Sequence, residues 1–277
     1  MRISIITACY NSATTIGAAM ESVVRQSWAE IEYIVVDGGS TDGTVDVVRD
    51  FAKEAHGRDI KWLSEPDDGM YDAINKGIRM ATGEVIGILN ADDFLFNNKV
   101  IETIACAFLS SSEPRVKKDV VYTDVQFVKA GSTLTELREA QTLRYYSAKR
   151  WKPWMMQWGY MPPHLGVYIR RDAFERLGFY KLGYHIAADY ELLIRFLRKG
   201  GLTMRYLDLC SVGMRMGGRS TRNWRSNLLL NQEIVRGNRE NGYFCCMPML
   251  MPKYCFKIWE FILPYLKNKH ASILSVS

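Results

Sequence analysis

Gly83-Glu84-Val85-Ile86-Gly87-Ile88-Leu89-Asn90-Ala91-Asp92-Asp93-Phe94 is a short apolar run that stops at two adjacent carboxylates. The run carries β-branched residues and predicts a buried strand. Asp92 and Asp93, framed by Asn90 and Phe94, would repel one another and lose hydration at such a strand's end. That is tolerable mainly where a cation sits between them and a ligand, or where the strand end opens to water. In open α/β sheets the ligand crevice lies just beyond the carboxyl ends of the strands, which is where these acids would project. The alternative is an Asp-rich turn that caps a helix.

Upstream, apolar runs alternate with segments of helical period. Residues 3–8 predict a first strand leading into Cys9-Tyr10-Asn11-Ser12, and Thr14 or Thr15 can cap a helix with Ile16, Met20, Val23 and Val24 on one face. Residues 31–36 predict a second strand that closes on Asp37-Gly38-Gly39-Ser40-Thr41-Asp42-Gly43, followed by a helix with Val48, Phe51, Ala52 and Ala55 together. Residues 60–64 predict a third strand, running into Glu65-Pro66-Asp67-Asp68-Gly69. The helix over 70–81 then divides into an apolar face (Ile74, Gly77, Ile78, Ala81) and a solvated one (Asp72, Asn75, Lys76, Arg79). Strand and helix alternating up to residue 93 predict a parallel sheet wrapped by helices.

The turns exclude some common nucleotide folds. No GxGxxG follows the first strand and no GxxxxGK[ST] occurs anywhere, so neither a dinucleotide fingerprint nor a P-loop cradles phosphate. Acids stand at the strand ends instead. A nucleotide diphosphate brought to that rim would be repelled unless a divalent cation with oxygen ligands bridged it, and carboxylate ligands point to Mg²⁺ or Mn²⁺.

Composition sets further bounds. A chain of 277 residues with 48% hydrophobic content can bury one substantial core with a small appendage. Six cysteines without CxxC spacing, several in apolar runs, read as buried thiols in a reducing cytosol rather than disulfides or zinc ligands. The start is too soon polar for a signal peptide and no run is long enough to span a membrane, so a soluble or peripheral cytoplasmic protein is expected. Charge is divided along the chain: residues 1–98 hold 8 basic and 16 acidic residues, whereas 219–277 hold 9 basic and 3 acidic. An acidic front and a basic back suggest two tasks.

Four motifs in order carry a resemblance: Tyr10-Asn11 after the first strand, the phrase from Ile34 to Thr44, the phrase from Tyr71 to Gly77, and Leu89-Asn90-Ala91-Asp92-Asp93. Together they resemble family 2 of the inverting glycosyltransferases, with the GT-A fold, over roughly residues 1–220, and most of all the bacterial enzymes of capsule, colanic acid or O-antigen synthesis. The resemblance implies that Thr7 and Tyr10 line the base pocket, that Asp37 hydrogen-bonds the base and that Lys76 lies near the nucleotide sugar. The family's DxD metal motif falls on Asn90-Ala91-Asp92-Asp93, with Asn90 in its first position. Asp92 and Asp93 are therefore the expected metal pair, and Asn90 a ribose or metal-shell contact.

Beyond Phe94, a helix around Ile101, Ile104, Ala105 and Phe108 and a strand over 120–128 are expected. Residues 138–171 hold seven basic residues, one acid and Trp151, Trp154 and Trp158. Such aromatics with cations can stack a sugar or a nucleic-acid base, or simply pack as a subdomain. His164 opens a strand over 165–169, and the resemblance puts it near the acceptor. A helix over 187–199 places Asp189 with Leu192, Leu193 and Phe196, whereas Glu191 has Arg195 four residues on and reads as a solvated pair. A carboxyl on the apolar side is costly unless paired or functional, and partial desolvation raises its basicity. The family carries its catalytic base at this helix start, although Ala188 stands where Glu often precedes the Asp. A helix N-cap is the alternative. Strands over 202–207 and 211–216 lead to Gly217-Gly218-Arg219-Ser220-Thr221, a turn suited to an anion, then to a helix over 222–239.

These readings converge on a GT-A α/β domain over 1–218, divided into a nucleotide half (1–98) and an acceptor half (99–218), with a basic C-terminal extension over 219–277. The expected activity is metal-dependent inverting transfer from a UDP- or GDP-sugar to a lipid-linked glycan, with Asp189 as base and no nucleic acid involved. The extension would lie against acidic lipid, pack on the core or form a homodimer contact. A nucleotidyltransferase would want a Gly-rich loop with Arg or Lys after the first strand, which Ala8-Cys9-Tyr10-Asn11 lacks. A non-catalytic adaptor binding membrane or nucleic acid is the remaining rival.

Overall fold

Strands β1 (Ile3–Cys9), β2 (Ile31–Asp37), β3 (Asp59–Ser64) and β4 (Val85–Ile88) are joined by helices α1 (Ile16–Val24), α2 (Thr44–Glu54) and α3 (Met70–Met80), in the expected alternation. The computed structural model describes residues 1–54, 57–110, 118–129, 131–216 and 224–253. The first four strands pair in parallel in the order β3-β2-β1-β4. β1 and β2 are mostly apolar and almost wholly buried, whereas β3 at the sheet's edge mixes polar with apolar residues and is partly exposed, which protects its free backbone edge. Gly77 lets α3 settle onto β1, since a Cβ there would come within 2.4 Å of Ile6 Cγ2.

The same sheet continues with mixed polarity. Chain order gives β5 (Phe94–Leu95), α4 (Val100–Leu109), β6 (Val120–Val128), α5 (Leu134–Glu139), β7 (Thr142–Tyr146), β8 (Val167–Arg170), α6 (Arg171–Leu177), α7 (Ala188–Leu193), β9 (Met204–Arg215) and α8 (Trp224–Glu240). β8 lies antiparallel between β4 and β6, β9 runs parallel to β6, and the short β5 closes antiparallel on β9. α7 passes directly into a π-helical turn over Ile194–Lys199.

Several expectations are corrected. The two strands expected over 202–216 are one, because register shifts around Asp124 let β9 stay paired with β6 past Asp208 and Cys210. β4 ends at Ile88, so the acids of residues 92–93 lie in the link to β5 and not on the strand itself. Asn75 is not solvated: it is 2% exposed, donates from Nδ2 to the Tyr180 carbonyl (2.9 Å) and accepts from the Tyr180 N–H (3.0 Å), tying the two halves together. Glu191 is also buried. Residues 224–253 pack against the sheet domain, with Cys245 and Leu250 fully buried. The glycine-rich turn over 217–221, Ala55 and residues 254–277 lie outside the described residues.

A buried carboxylate also holds the far edge of the sheet. Glu32 on β2 accepts from Ser4 Oγ (2.5 Å), Lys61 Nζ (2.6 Å), Thr82 N (2.7 Å) and Thr82 Oγ1 (2.9 Å). Burial alone would raise this carboxyl, but the hydrogen bonds from Lys61, Ser4 and Thr82 outweigh it and hold it at about 2. A depressed native value means stability fully present above the unfolded value of about 4.3 and lost as pH falls toward 2. Glu32→Gln should therefore be less stable than wild type at pH 7, and the gap should narrow at pH 3. Urea unfolding at both pH values checks this; a gap that stays constant would remove the carboxylate's charge from the explanation.

Candidate active site

The loops after β1 and β2 are stitched together at the carboxyl edge. Asn11, with φ +49°, accepts from Thr41 N (3.0 Å), while Ser40 Oγ accepts from Asn11 N (2.7 Å). Asp37 is 2% exposed, and its carboxylate receives Gly39 N (3.1 Å), Ser40 N (3.0 Å), Ser64 Oγ (2.7 Å) and Ser40 Oγ. Burial would raise it, yet these donors hold it below the ordinary carboxylate range. Asp37 thus shapes the loop after β2. Thr7 is fully buried and shares a hydrogen bond with Tyr33 OH (3.0 Å), so of Thr7 and Tyr10 it is Tyr10 that presents a ring to the surface. Lys76 reaches Glu65 (2.9 Å), Asp72 (3.4 Å) and the Pro66 carbonyl (2.9 Å) on the same rim.

The two acids divide into different roles. Asp93 is 3% exposed and turned inward, accepting from Asn90 Nδ2 (2.9 Å) and Arg215 N (3.2 Å). Burial and the neighbouring Asp92 charge push its carboxyl well up. Asp92 stays half-buried, and its carbonyl accepts from Arg215 Nη1 (3.0 Å). The pair expected to face a cation together therefore splits, because β5 begins at Phe94 and draws the Asp93 side chain under the turn. Gly213 on β9 makes room for this, as a Cβ there would meet the Phe94 ring at 2.2 Å.

Asp189 lies in the first turn of α7 and is half-buried. Ala187 is the N-cap, and Asp189 Oδ1 accepts instead from its neighbour Tyr190 N (2.7 Å), which removes the capping alternative. Burial raises its carboxyl, opposed by the charge of His164 and by hydrogen bonds that include Tyr71. His164 shares a 2.6 Å hydrogen bond with Tyr180 OH, and burial lowers its pKa. Tyr71 stacks on Tyr180 at 5.6 Å and donates to the Ile186 carbonyl (2.6 Å). The start of α7 is held by Glu233 of α8, whose buried carboxylate accepts from the N–H groups of His185 (2.7 Å), Ile186 (2.9 Å) and Ala187 (2.8 Å). Of these, Ala187 N is one of the donors a helix start leaves without intrahelical partners, and the other two fix the chain that leads into it. Glu191 is fully buried, bonded to Arg195, Lys181 and Asn241, and kept below the ordinary range by Arg195 and Lys181 against the opposing effect of burial.

Asn90, His164 and Asp189 meet in one cavity of about 430 Å³. Thr7, Tyr10, Asp37, Lys76 and the acids Asp92 and Asp93 do not line it. Glu233, Arg215, Tyr71 and Tyr180 are the residues sequence reasoning missed. Glu233 had no periodic signal, because its partners lie 46 to 48 residues away in a loop.

A family model described as Glycosyl transferase family 2 matches residues 4–178. The chain belongs to glycosyl transferase family 2. Over 206 residues this family 2 glycosyltransferase is 31% identical to the PGL/p-HBAD biosynthesis glycosyltransferase of Mycobacterium bovis (strain BCG / Pasteur 1173P2), covering 74% of this chain and 73% of that protein. A shorter match, 35% over 91 residues, covers 32% of this chain and 21% of the poly-beta-1,6-N-acetyl-D-glucosamine synthase of Staphylococcus epidermidis (strain ATCC 35984 / DSM 28319 / BCRC 17069 / CCUG 31568 / BM 3577 / RP62A). Its fold is similar to that of mannosyltransferase PcManGT from Pyrobaculum calidifontis, solved with GDP-Man and Mn²⁺, with TM-score 0.60 at 23% identity over 86% of this chain and 63% of that one. S. aureus TarS 1-349 with UDP-GlcNAc gives TM-score 0.59 at 18% identity over 85% and 67%. The glycosyltransferase thus has the GT-A-like architecture its motifs implied. Among its described residues no helix is long and apolar enough to cross a membrane.

Proposed function

We propose that this family 2 glycosyltransferase moves a sugar from a UDP- or GDP-sugar to a lipid-linked glycan of bacterial surface polysaccharide synthesis, with inversion. The observation that carries this reading is the cavity joining Asn90, beside the acidic turn, to the raised carboxyl of Asp189. Solved neighbours hold GDP-Man with Mn²⁺ and UDP-GlcNAc, which supports a nucleotide sugar donor.

The donor set fits a divalent cation of one kind. Among the described residues no three His, Cys, Asp or Glu side chains gather into a ready-made cage. One half-exposed carboxylate, Asp92, with Asn90 nearby, suits Mg²⁺ or Mn²⁺ taken up together with substrate phosphates. When bound there, held by Asp92 with Asp93 supporting the turn, the cation supplies neutralisation of the diphosphate's charge. The protein's own residues do the rest. Asp189 takes the proton from the acceptor hydroxyl, its basicity raised by burial, while Glu233 and Tyr71 keep the start of α7 in place. The hydroxyl oxygen forms the new bond at the anomeric carbon from the face opposite the departing diphosphate, and that single displacement inverts the centre.

A thermal-shift experiment with UDP and GDP, each with and without Mn²⁺, tests the reading. A ligand at a hundred times its Kd stabilises by about 2.7 kcal/mol, so a rise of roughly 5 °C or more is expected with one nucleotide in Mn²⁺. No rise with either nucleotide would defeat it.

We also propose peripheral attachment to anionic lipid through the basic C-terminal residues, homodimer contact being the competing role. Because Cys245 and Leu250 are buried and Gln157 Nε2 donates to the Phe244 carbonyl (2.6 Å), the segment up to Lys253 belongs to the folded body. Truncation after Lys253 is therefore the informative variant. It should lower flotation with phosphatidylserine vesicles at low salt, as should added salt in the intact protein. Intact protein that stays in the pellet fraction at low salt would end the membrane proposal.

A further inference from the structure

The walls of the Asp189 cavity carry information about the acceptor. β6 and β7 contribute Val125, Phe127 and Tyr146, β9 contributes Met214, and α8 contributes Leu230 and Ile234. The loop ahead of β8 adds Met161, Pro163 and Leu165. Four tyrosines, Tyr71, Tyr146, Tyr160 and Tyr190, also line the space, and three have the hydroxyl committed to a backbone carbonyl: Tyr71 to Ile186 (2.6 Å), Tyr146 to Met161 (2.5 Å) and Tyr190 to Met156. These three offer ring faces more than hydrogen bonds. The two cations of the lining are arranged similarly. Arg144 lies 4.9 Å from the Phe127 ring and 5.4 Å from the Tyr146 ring, and the Lys253 stem passes so close to Gly159 that a Cβ there would come within 3.0 Å of its Cδ. Lys253 Nζ donates to Asn231 Oδ1 (2.5 Å). Asp189, His164, Asn90 and Asn227 therefore share the cavity with a largely apolar wall.

A bare oligosaccharide fits that lining poorly. Each buried hydroxyl left without a partner costs about 1–3 kcal/mol, and a sugar brings several. An apolar surface of the same size gains instead, at about 25 cal/mol per Å² removed from water. About 430 Å³ is also the volume of a small-ligand site and not of an extended chain's groove.

We infer that this cavity receives an acceptor whose reacting hydroxyl is borne on, or directly beside, a compact apolar group, an aryl or short alkyl aglycone. The inference rests on the glycosyltransferase reading and revises its acceptor, placing the reacting hydroxyl on or beside the apolar anchor and not out along a glycan chain. The acceptor oxygen forms the bond to the anomeric carbon, its proton passes to the Asp189 carboxylate, and the bond from that carbon to the phosphate oxygen breaks with its electron pair leaving on the nucleoside diphosphate. The apolar wall holds the aglycone so that this oxygen faces Asp189.

Saturation-transfer NMR on the full chain, with benzyl alcohol and methyl glucoside as separate probes, tests the inference. Benzyl alcohol should receive saturation and methyl glucoside should not. Leu230→Gln and Met214→Gln, each at a half-buried wall position, should reduce the benzyl alcohol signal at least about threefold while the nucleotide thermal shift in Mn²⁺ is retained. Saturation of methyl glucoside alone, of neither probe, or of benzyl alcohol undiminished in both variants would overturn it. Failure of the donor reading shows separately, as a missing nucleotide shift in wild type that still binds benzyl alcohol at this wall.

Discussion

Asp189→Asn is expected to slow transfer by ~10²- to 10⁴-fold while leaving metal-dependent nucleotide binding nearly unchanged, the range for loss of a positioned acid or base. The amide keeps the side chain's shape and its acceptor for Tyr190 N, but not its basicity. Stability should not fall. A carboxyl raised by burial has its charged form disfavoured in the native state, so above its native pKa that charge costs stability, and the neutral amide removes the cost. The pH profile gives a second readout. Wild-type rate should rise as pH increases through the raised Asp189 value and Asp189 loses its proton, and this limb should vanish in Asp189→Asn. Glu191→Gln makes the contrast: Glu191 is fully buried among Arg195, Lys181 and Asn241, so its amide should lower stability and leave the rate per folded molecule close to wild type. An active Asp189→Asn beside an inactive, folded Glu191→Gln would move the base to Glu191.

Asp92→Ala should weaken nucleotide diphosphate binding in Mn²⁺ by on the order of 10²-fold, which corresponds to roughly 2.7 kcal/mol, within the range for truncating one partner of a close charge pair. Asp93→Asn should behave differently. Its carboxyl faces Asn90 and the Arg215 backbone inside the turn and is pushed toward the neutral form by burial and by Asp92, so an amide of the same shape substitutes at small cost. Calorimetry of UDP or GDP in Mn²⁺, with the metal-free titration as baseline, separates the two variants. Retained affinity in Asp92→Ala together with loss in Asp93→Asn would reverse the assignment.

The acidic front of the chain also acquires a structural meaning. The acids of residues 37, 42, 65, 67 and 72 gather on the loops at one edge of the parallel strands, where several accept backbone or hydroxyl hydrogens: Asp42 takes Thr44 N (3.0 Å) and Ala13 N (3.1 Å), and Asp67 takes Gly69 N (2.8 Å). Much of this acidity builds turns. The charge count alone suggested a site and did not distinguish a ligand-facing carboxylate from one that organises a loop.

By itself the sequence determined the first half of the sheet. Ile3–Cys9, Ile31–Asp37 and Val85–Ile88 are buried strands because apolar residues dominate each run, and α3 turns Ile74 and Ile78 inward because a 3.6-residue period allows one apolar face. It also determined that acids cluster after those strands. The tertiary structure alone decided what each polar side chain does. Asn75 lies on the polar face of its helix yet is buried, since Tyr180 arrives 105 residues later to satisfy both ends of its amide. Glu191, read as solvated, is enclosed by Lys181, Arg195 and Asn241, and Glu233, with no pattern to mark it, holds the start of the helix that carries Asp189. The reason is physical. Apolar burial follows from local composition and period, whereas a buried polar group is tolerated only with a partner, and that partner is supplied by chain segments whose approach no local period encodes.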